Sequence, residues 1–228
     1  MGFIFEERLS ASPYVESITH GWTAGSGSTI RPAESHWHLV LVRYQDKEQL
    51  IVTGPLTTSG VVPFTEGAEI LWVKFKLGAF MPHLPLQDIL NTETALPEAA
   101  GNSFWLHSGT WQFPDANNID TFIERLVRAG ELARDRVVEN VMQDQPPEMS
   151  ARTLRQRFLR ATGLTHGQIR QIERAQRAAA LIQQGVSILD TVYDAGYYDQ
   201  PHLTRSLKQW VGFTPAQLVP LRAQRAGG

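Results

Sequence analysis

The chain has 228 residues, a formal charge of −2, 42% apolar residues and 19% charged residues, a globular composition with enough apolar content for a core. It has no cysteine, which excludes disulfides, thiolate metal sites and a Cys nucleophile and fits a reducing compartment. Its start, Met1-Gly-Phe-Ile-Phe-Glu-Glu, is acidic where a secretory signal is basic, and no uncharged run nears the ~20 apolar residues of a membrane span, so the expected location is the cytoplasm.

Residues 14–77 read as short strands and turns. Trp37–Tyr44 is rich in β-formers, and Leu50–Thr53 runs into the turn signal Gly54-Pro55. Gly60-Val-Val-Pro63 and Glu66-Gly67 read as punctuation. Glu69–Lys76 alternates, with Ile70, Trp72 and Lys74 on one face and Leu71, Val73 and Phe75 on the other. The pattern predicts a small β-barrel or sandwich, cupin-like in kind. Residues 78–116, with Pro82, Pro85, Pro97 and Pro114, read as irregular except for a short helix near Leu86–Leu90. From Asn118 the period changes: Ile119, Phe122, Ile123, Leu126 and Val127 mark an amphipathic helix ending near Gly130. Its apolar stripe must be covered, either between domains or in a dimer interface. A further helix over Asp135–Met142 ends at Pro146-Pro147. The expected organisation is a β-rich sensor or regulatory domain over 1–112, a connecting helix region over 113–133, and an all-α domain over 134–228.

An internal repeat carries most of the information. Ser150–Ile169 lies on Asp199–Leu218 with a shift of 49 and no gap. Ser150 matches Asp199, both N-cap types. Leu154 and Phe158 match Leu203 and Leu207, an expected buried pair one helical turn apart. Gly163 matches Gly212, where a helix should stop. Thr165-x-x-Gln168 and Thr214-x-x-Gln217 each open a capping box, and Pro215 sits at a first helical position. In the second copy Ser187-Ile-Leu-Asp190 begins a short helix, Gly196 permits a turn, and Asp199 caps the next helix. That is a helix-turn-helix. The first copy pairs 135–142 with 150–162 across a longer, proline-bearing connection. Between the copies, Gly167–Gln184 reads as a connecting helix about 27 Å long, compatible with two such units about one DNA turn apart.

Charge follows the repeat. Residues 150–228 hold eleven Lys and Arg against four Asp and Glu, a formal +7, and the rest holds ten against nineteen, a formal −9. A basic part seeks a polyanion and an acidic part repels one. With Leu154 and Phe158 inward, the opposite face of the first helix carries Arg152, Arg155, Gln156 and Arg160. The matching face of the second carries Pro201, Thr204, Arg205 and Lys208, with Gln200 near its start. Arg can grip guanine O6/N7 and Gln adenine N6/N7, each through two hydrogen bonds. Ser150, Arg157, Arg160, Arg170, Arg174 and Lys208 are assigned to phosphates. Any one of these arginines is equally explained as a solvated surface residue; the set, repeated on two helices, points to double-stranded DNA.

Residues 134–218 resemble the DNA-binding domain of the AraC/XylS family of bacterial transcription regulators. The carriers are Ser150-x-x-Thr-Leu-x-x-x-Phe-x-x-x-Thr-Gly163, Arg174-Ala-x-x-Ala-Ala-x-Leu-Ile182, Ser187-Ile-x-x-x-x-x-x-Ala-Gly-Tyr-x-Asp-Gln200, and His202-Leu-Thr-Arg-Ser-Leu-Lys208 with Gly212-Phe-Thr-Pro215. The resemblance implies two helix-turn-helix motifs joined by a helix, with base-reading positions at Arg152, Arg155, Gln156, Gln200, Thr204 and Arg205. Pro201 departs from the polar residue often found there and offers only apolar contact, for example to a thymine methyl. Residues 1–112 resemble the family's β-rich sensor domains loosely, through Ser12–Glu16, Trp37–Leu41 and Thr53–Leu56. The implied function is a sequence-specific regulator of transcription with promoter DNA as partner. A small-molecule effector, a second copy of the chain and, for an activator, RNA polymerase are further implied partners.

The alternative from a different class is a cupin-like metalloenzyme with a basic nucleic-acid-binding tail. His36-x-His38 resembles the metal-binding run of cupin barrels, with His83 and His107 as later candidates. Glu48 stands ten residues past His38, too far for that pattern, so the expectation is no metal, no cofactor and no catalytic residue. A DNA-repair alkyl transferase is excluded because it needs a thiol. No P-loop, dinucleotide fingerprint or Ser-His-Asp signature is visible. Trp22, Trp37, Trp72, Trp105 and Trp111 serve either as a pocket lining or, more simply, as core.

Overall fold

The computed structural model describes residues 2–219; residues 220–228, the end of the expected all-α domain, lie outside the described residues. The first nine strands are β1 (Phe3–Leu9), β2 (Val15–Thr23), β3 (Gly27–Arg31), β4 (His38–Tyr44), β5 (Lys47–Thr53), β6 (Gly60–Phe64), β7 (Glu69–Phe75), β8 (Ala79–Phe80) and β9 (Glu93–Ala95). Then come β10 (Glu98–Ala99), β11 (Ser103–Leu106), β12 (Gly109–Gln112), helix α1 (Ile119–Arg128) and β13 (Ala133–Arg134). Helices α2 (Arg136–Met142), α3 (Ala151–Thr162), α4 (His166–Gln184), α5 (Ile188–Asp194) and α6 (Gln200–Trp210) follow. The β-rich first part and helical last part are as the sequence indicates.

Packing divides the chain into two compact units. The first takes residues up to Ser28, His36–Pro55 and Pro63–His166; the second takes Thr29–Ser35, Leu56–Val62 and the chain from Gly167 onward. Grouped this way, α2 and α3 fall with the strands.

The first unit is built on a six-stranded antiparallel sheet in the order β1-β2-β7-β4-β5-β9. Alternation works as expected in β7: Leu71, Val73 and Phe75 are buried. They join Trp37, Leu39, Leu41, Leu50 and Val52 in one core. Trp37 stacks on Phe75 with ring centroids 3.9 Å apart and planes 3° off parallel. Its indole N–H donates to the Ala79 carbonyl at 2.6 Å, which satisfies the polar edge of a buried ring. Trp37 is therefore core, and the void lined by Trp37, Leu39, Phe75, Phe104 and Phe122 measures only about 10 Å³.

The segment 78–116 is not irregular: it contains β8 to β12, with β11 and β12 forming a hairpin closed by His107-Ser108. His107 takes the left-handed backbone that such two-residue loops demand, at φ 52°. Residues 86–90 form turns, not a helix. Leu86 and Ile89 are drawn into the core, single-turn bonds run from Asp88 N–H to Pro85 and from Thr92 N–H to Ile89, and Asn91 at φ 60° breaks the progression. Gly60–Pro63 belongs to β6, paired with β3, rather than to a turn. The N-terminal segment forms β1, hidden from pattern reading because most of its residues are exposed. Helix α1 forms as predicted, but its stripe of Ile119, Phe122, Ile123 and Leu126 is covered by the first unit's own core, so it calls for neither a domain contact nor a dimer to bury it.

The second unit centres on α4, α5 and α6. Ala178, Ala179, Ile182, Val192, Ala195, Tyr197, Leu203, Leu207 and Leu218 form its core. The end of α6 leaves orphan carbonyls that must find donors. Two short segments supply them: Ala33 N–H donates to Trp210 at 2.7 Å and Ser59 N–H to Gln209 at 2.9 Å. Gly212, at φ 88°, lets the chain leave α6; a Cβ there would lie 2.6 Å from Ile30.

Candidate nucleic-acid interface

Each helix of the repeat starts where its sequence says. The Ser150 hydroxyl accepts the Thr153 N–H at 3.1 Å and begins α3, and the Asp199 carboxylate accepts the His202 N–H at 2.7 Å and begins α6. Asp135 caps α2 through the Val137 N–H at 3.0 Å. Ser187 caps α5 through the Asp190 N–H at 3.0 Å, while its own hydroxyl donates to the Asp190 carboxylate at 2.6 Å. Gly163 at φ 70° ends α3. Half of the second capping box forms, with the Thr214 N–H donating to Gln217 Oε1 at 2.9 Å.

The α5–α6 pair is held by Tyr197, which sits in the turn between them. Its hydroxyl bonds Ser206 Oγ at 2.8 Å, its ring meets the His202 ring edge-on, and the Arg174 guanidinium lies 4.6 Å above it. The α2–α3 pair is held differently. Its connection is eight residues long, and Asp135 grips the guanidinium of Arg157 with two bonds of 2.9 and 2.7 Å. That grip raises the Arg157 pKa still further, first through the hydrogen bonds and then through charge, so the guanidinium stays ionised. The inward pair of α3 is uneven: Phe158 is buried, but Leu154 only half so.

The side chains assigned to bases are mostly exposed. Arg152, Arg155 and Gln156 are exposed on α3; Gln200 and Arg205 are exposed on α6, and Thr204 is half-buried. None of the six side chains has a hydrogen-bond or ion-pair partner among the described residues. The residues assigned to phosphates divide. Lys208 is exposed without a side-chain partner among the described residues, and Arg170 is exposed. Arg160 is exposed, with its guanidinium 5.4 Å from the Phe80 ring centroid. Arg157 is committed to Asp135, Arg174 to Tyr197, and Ser150 to its cap. These internal partners stand 22 or 23 residues away for the two arginines, beyond what local pattern reveals. Tyr193 and Tyr198, 75% and 91% exposed beside the second motif, went unassigned in the sequence because aromatic residues are read first as core.

The histidines of the first unit do not assemble as a cupin pattern would. His36 Nε2 lies 3.0 Å from Glu16, and His38 is buried edge-on to Trp72. Glu16 occupies a β-bulge opposite β7, between Val15 and Ser17. The bulge turns its carboxylate toward His36 and Lys74. The hydrogen bond from His36, with the charges of His36 and Lys74, outweighs burial and brings the Glu16 pKa down to about 2. His83, His107 and Glu131 do come together, with one ligand atom from each within 4.8 Å of the others. Glu131 carries no sequence signal, because its partners arrive from two distant loops.

Residues 148–219 match the family model described as a helix-turn-helix domain. Ninety-four residues, 41% of the chain, are 35% identical to the HTH-type transcriptional regulator VirS of Mycobacterium tuberculosis, in the sequences of strains CDC 1551 and H37Rv. The match spans 26% of that regulator's length. Among solved structures, ToxT from Vibrio cholerae aligns over 97% of this chain and 99% of its own, at 10% identity and a TM-score of 0.36. No helix among the described residues is long and apolar enough to cross a membrane.

Proposed function

We propose that the protein is a sequence-specific DNA-binding regulator of transcription, of the AraC type, acting in the cytoplasm and without catalytic activity. Residues 134–228 bind promoter DNA, with 113–133 connecting them to a sensing or dimerising part over 1–112. Arg152, Arg155 and Gln156 read bases from α3, and Gln200, Thr204 and Arg205 from α6. Lys208, Arg160 and Arg170 hold phosphates, and Ser150 at the start of α3 offers a further backbone contact. Arg157 and Arg174 serve readout indirectly, each by fixing the helix pair that carries its own readers. An effector, a second copy of the chain and RNA polymerase are partners this reading brings with it.

The observation that carries the reading is the set of six polar side chains, five of them exposed, on the two capped helices of a gapless repeat and without partners among the described residues. An unpaired guanidinium or amide on a helix face is ready for a base edge without first breaking an internal bond. The test is selection of bound duplexes from a random pool, followed by Arg205→Ala and Arg152→Ala on the selected site. Each variant should lose about 1–3 kcal/mol on that site and relax the preference at one position. Recovery of no preferred sequence, or equal loss on every duplex, would sink the assignment.

A further inference from the structure

His83 lies in the turn that follows β8, closed by the Met81–Leu84 bridge. His107 occupies the left-handed position of the β11–β12 loop. Glu131 lies between α1 and β13 and is 9% exposed. The two imidazoles stack at 3.6 Å with planes 10° apart, and His107 Nδ1 stands 3.4 Å from Glu131 Oε1. That is a long contact for a buried carboxylate, and it is the one partner of that carboxylate among the described residues. Both histidines are exposed, and His83 has no hydrogen-bond partner among the described residues. Two ring nitrogens and a buried carboxylate thus lie within 4.8 Å of one another at a place that solvent can reach.

We propose that His83, His107 and Glu131 bind a divalent transition-metal ion of the zinc class and that this ion is the regulator's effector. The second half rests on the DNA-binding function proposed above. The donor set suits zinc and its neighbours: imidazole favours zinc, nickel and copper, and a carboxylate keeps the set from being soft enough for Cu(I). Three protein ligands leave a coordination position open, unlike the closed four-ligand sites that serve structure alone. An open, solvent-reached site exchanges its ion with the medium, which a sensor requires. Ring-nitrogen lone pairs lie in the ring plane, so the stacked imidazoles must splay to bring both nitrogens to about 2.0–2.1 Å from one ion. Their exposure leaves room for that rotation.

The ion would tie three segments that meet near the first repeat helix. Glu131 lies two residues before β13, which pairs with β8, the strand just ahead of His83. Four residues past Glu131, Asp135 caps α2 and holds Arg157 of α3. Phe80 of β8 lies under Arg160 of α3. Fixing Glu131 and His83 therefore fixes the base on which α3 is set.

The experiment takes the full chain stripped with a chelator and titrates it with Zn²⁺ by calorimetry and with Co²⁺ by visible absorption. One ion per chain is expected. His83→Ala, His107→Ala and Glu131→Gln should each weaken binding by at least about tenfold, with circular dichroism confirming the fold. His36→Ala should leave binding unchanged. Should Glu131→Gln fail to fold, the two exposed histidine variants decide. Absence of stoichiometric binding, or binding that survives the His83→Ala, His107→Ala double variant, overturns the site. Affinity for a selected duplex is then measured with and without Zn²⁺, and a change of about tenfold in the wild type alone is expected. Equal affinity in both states overturns the effector role. A chain that takes up zinc but prefers no duplex in either state overturns the DNA-binding function and leaves the metal site standing.

Discussion

Arg152 and Arg157 share one short helix and one residue type, yet the structure gives them different surroundings. Arg152 has no partner among the described residues, whereas Arg157 is gripped at both ends of its guanidinium by Asp135. Replacing Arg157 with Ala should lower the thermal midpoint and leave the ranking of duplexes unchanged; replacing Arg152 should do the reverse. Thermal melts read beside a panel of single-mismatch duplexes separate the two, and a relaxed ranking in Arg157→Ala would contradict the assignment. The sequence showed that both were basic and outward but not which was committed, because the partner lies 22 residues earlier. Glu16 supports a second expectation. Its pKa is 4.5 in the unfolded chain and about 2 in the folded one. Its contribution to stability is therefore present above about pH 4.5 and is lost as the pH falls toward 2. Glu16→Gln should flatten that part of the acid unfolding curve, measured by denaturant titration between pH 3 and 6; an unchanged slope would count against the Glu16–His36 pairing.

At the scale of elements, legibility follows where the deciding chemistry sits. Ser150, Ser187, Asp199, Gly163 and Gly212 are local instructions, and all of them cap or end helices as written. Alternation in β7 is equally local, because one face meets a core. The β11–β12 hairpin was not legible: its four-residue strands are short, and its loop is His-Ser rather than the usual Asn-Gly. Nor did periodicity alone say what would cover α1. Phe104 and Trp111 of that unread hairpin pack around Phe122 with ring centroids 6.2 and 6.0 Å away. Phe122→Ala should therefore destabilise the first unit by about 3–5 kcal/mol through a cavity, with a loss that does not depend on protein concentration. Denaturant melts at two concentrations test this; a concentration-dependent loss would restore an interface role for α1. Gly212→Ala meets two obstacles, a positive φ and Ile30 at 2.6 Å, and should cost more than the roughly 1 kcal/mol ordinarily lost when a left-handed glycine is replaced.

For the whole molecule, charge was the most readable property and packing the least. The split between a formal −9 before residue 150 and +7 after it is a statement about long-range fields, which need no fold to be counted. The grouping of α2 and α3 with the strands depends on contacts such as Arg160 over Phe80 and Gly163 against the Leu86 backbone, which no motif announces. Under the proposed function, the two properties together constrain how affinity for DNA responds to salt. Each phosphate neutralised releases counterions and adds about −0.9 to the slope of log K against log salt. A cation already engaged by a partner within the protein is less available to meet a phosphate, so the count of basic residues overstates the slope. Lys208 has no side-chain partner among the described residues, and Arg174 lies over Tyr197. Lys208→Ala should therefore reduce the magnitude of the slope by about one unit on every duplex. Arg174→Ala should leave the slope nearly unchanged and instead loosen the α5–α6 pair, seen as a lower melting temperature. Equal slope changes in both variants would mean that Arg174 leaves Tyr197 to meet phosphate when DNA binds.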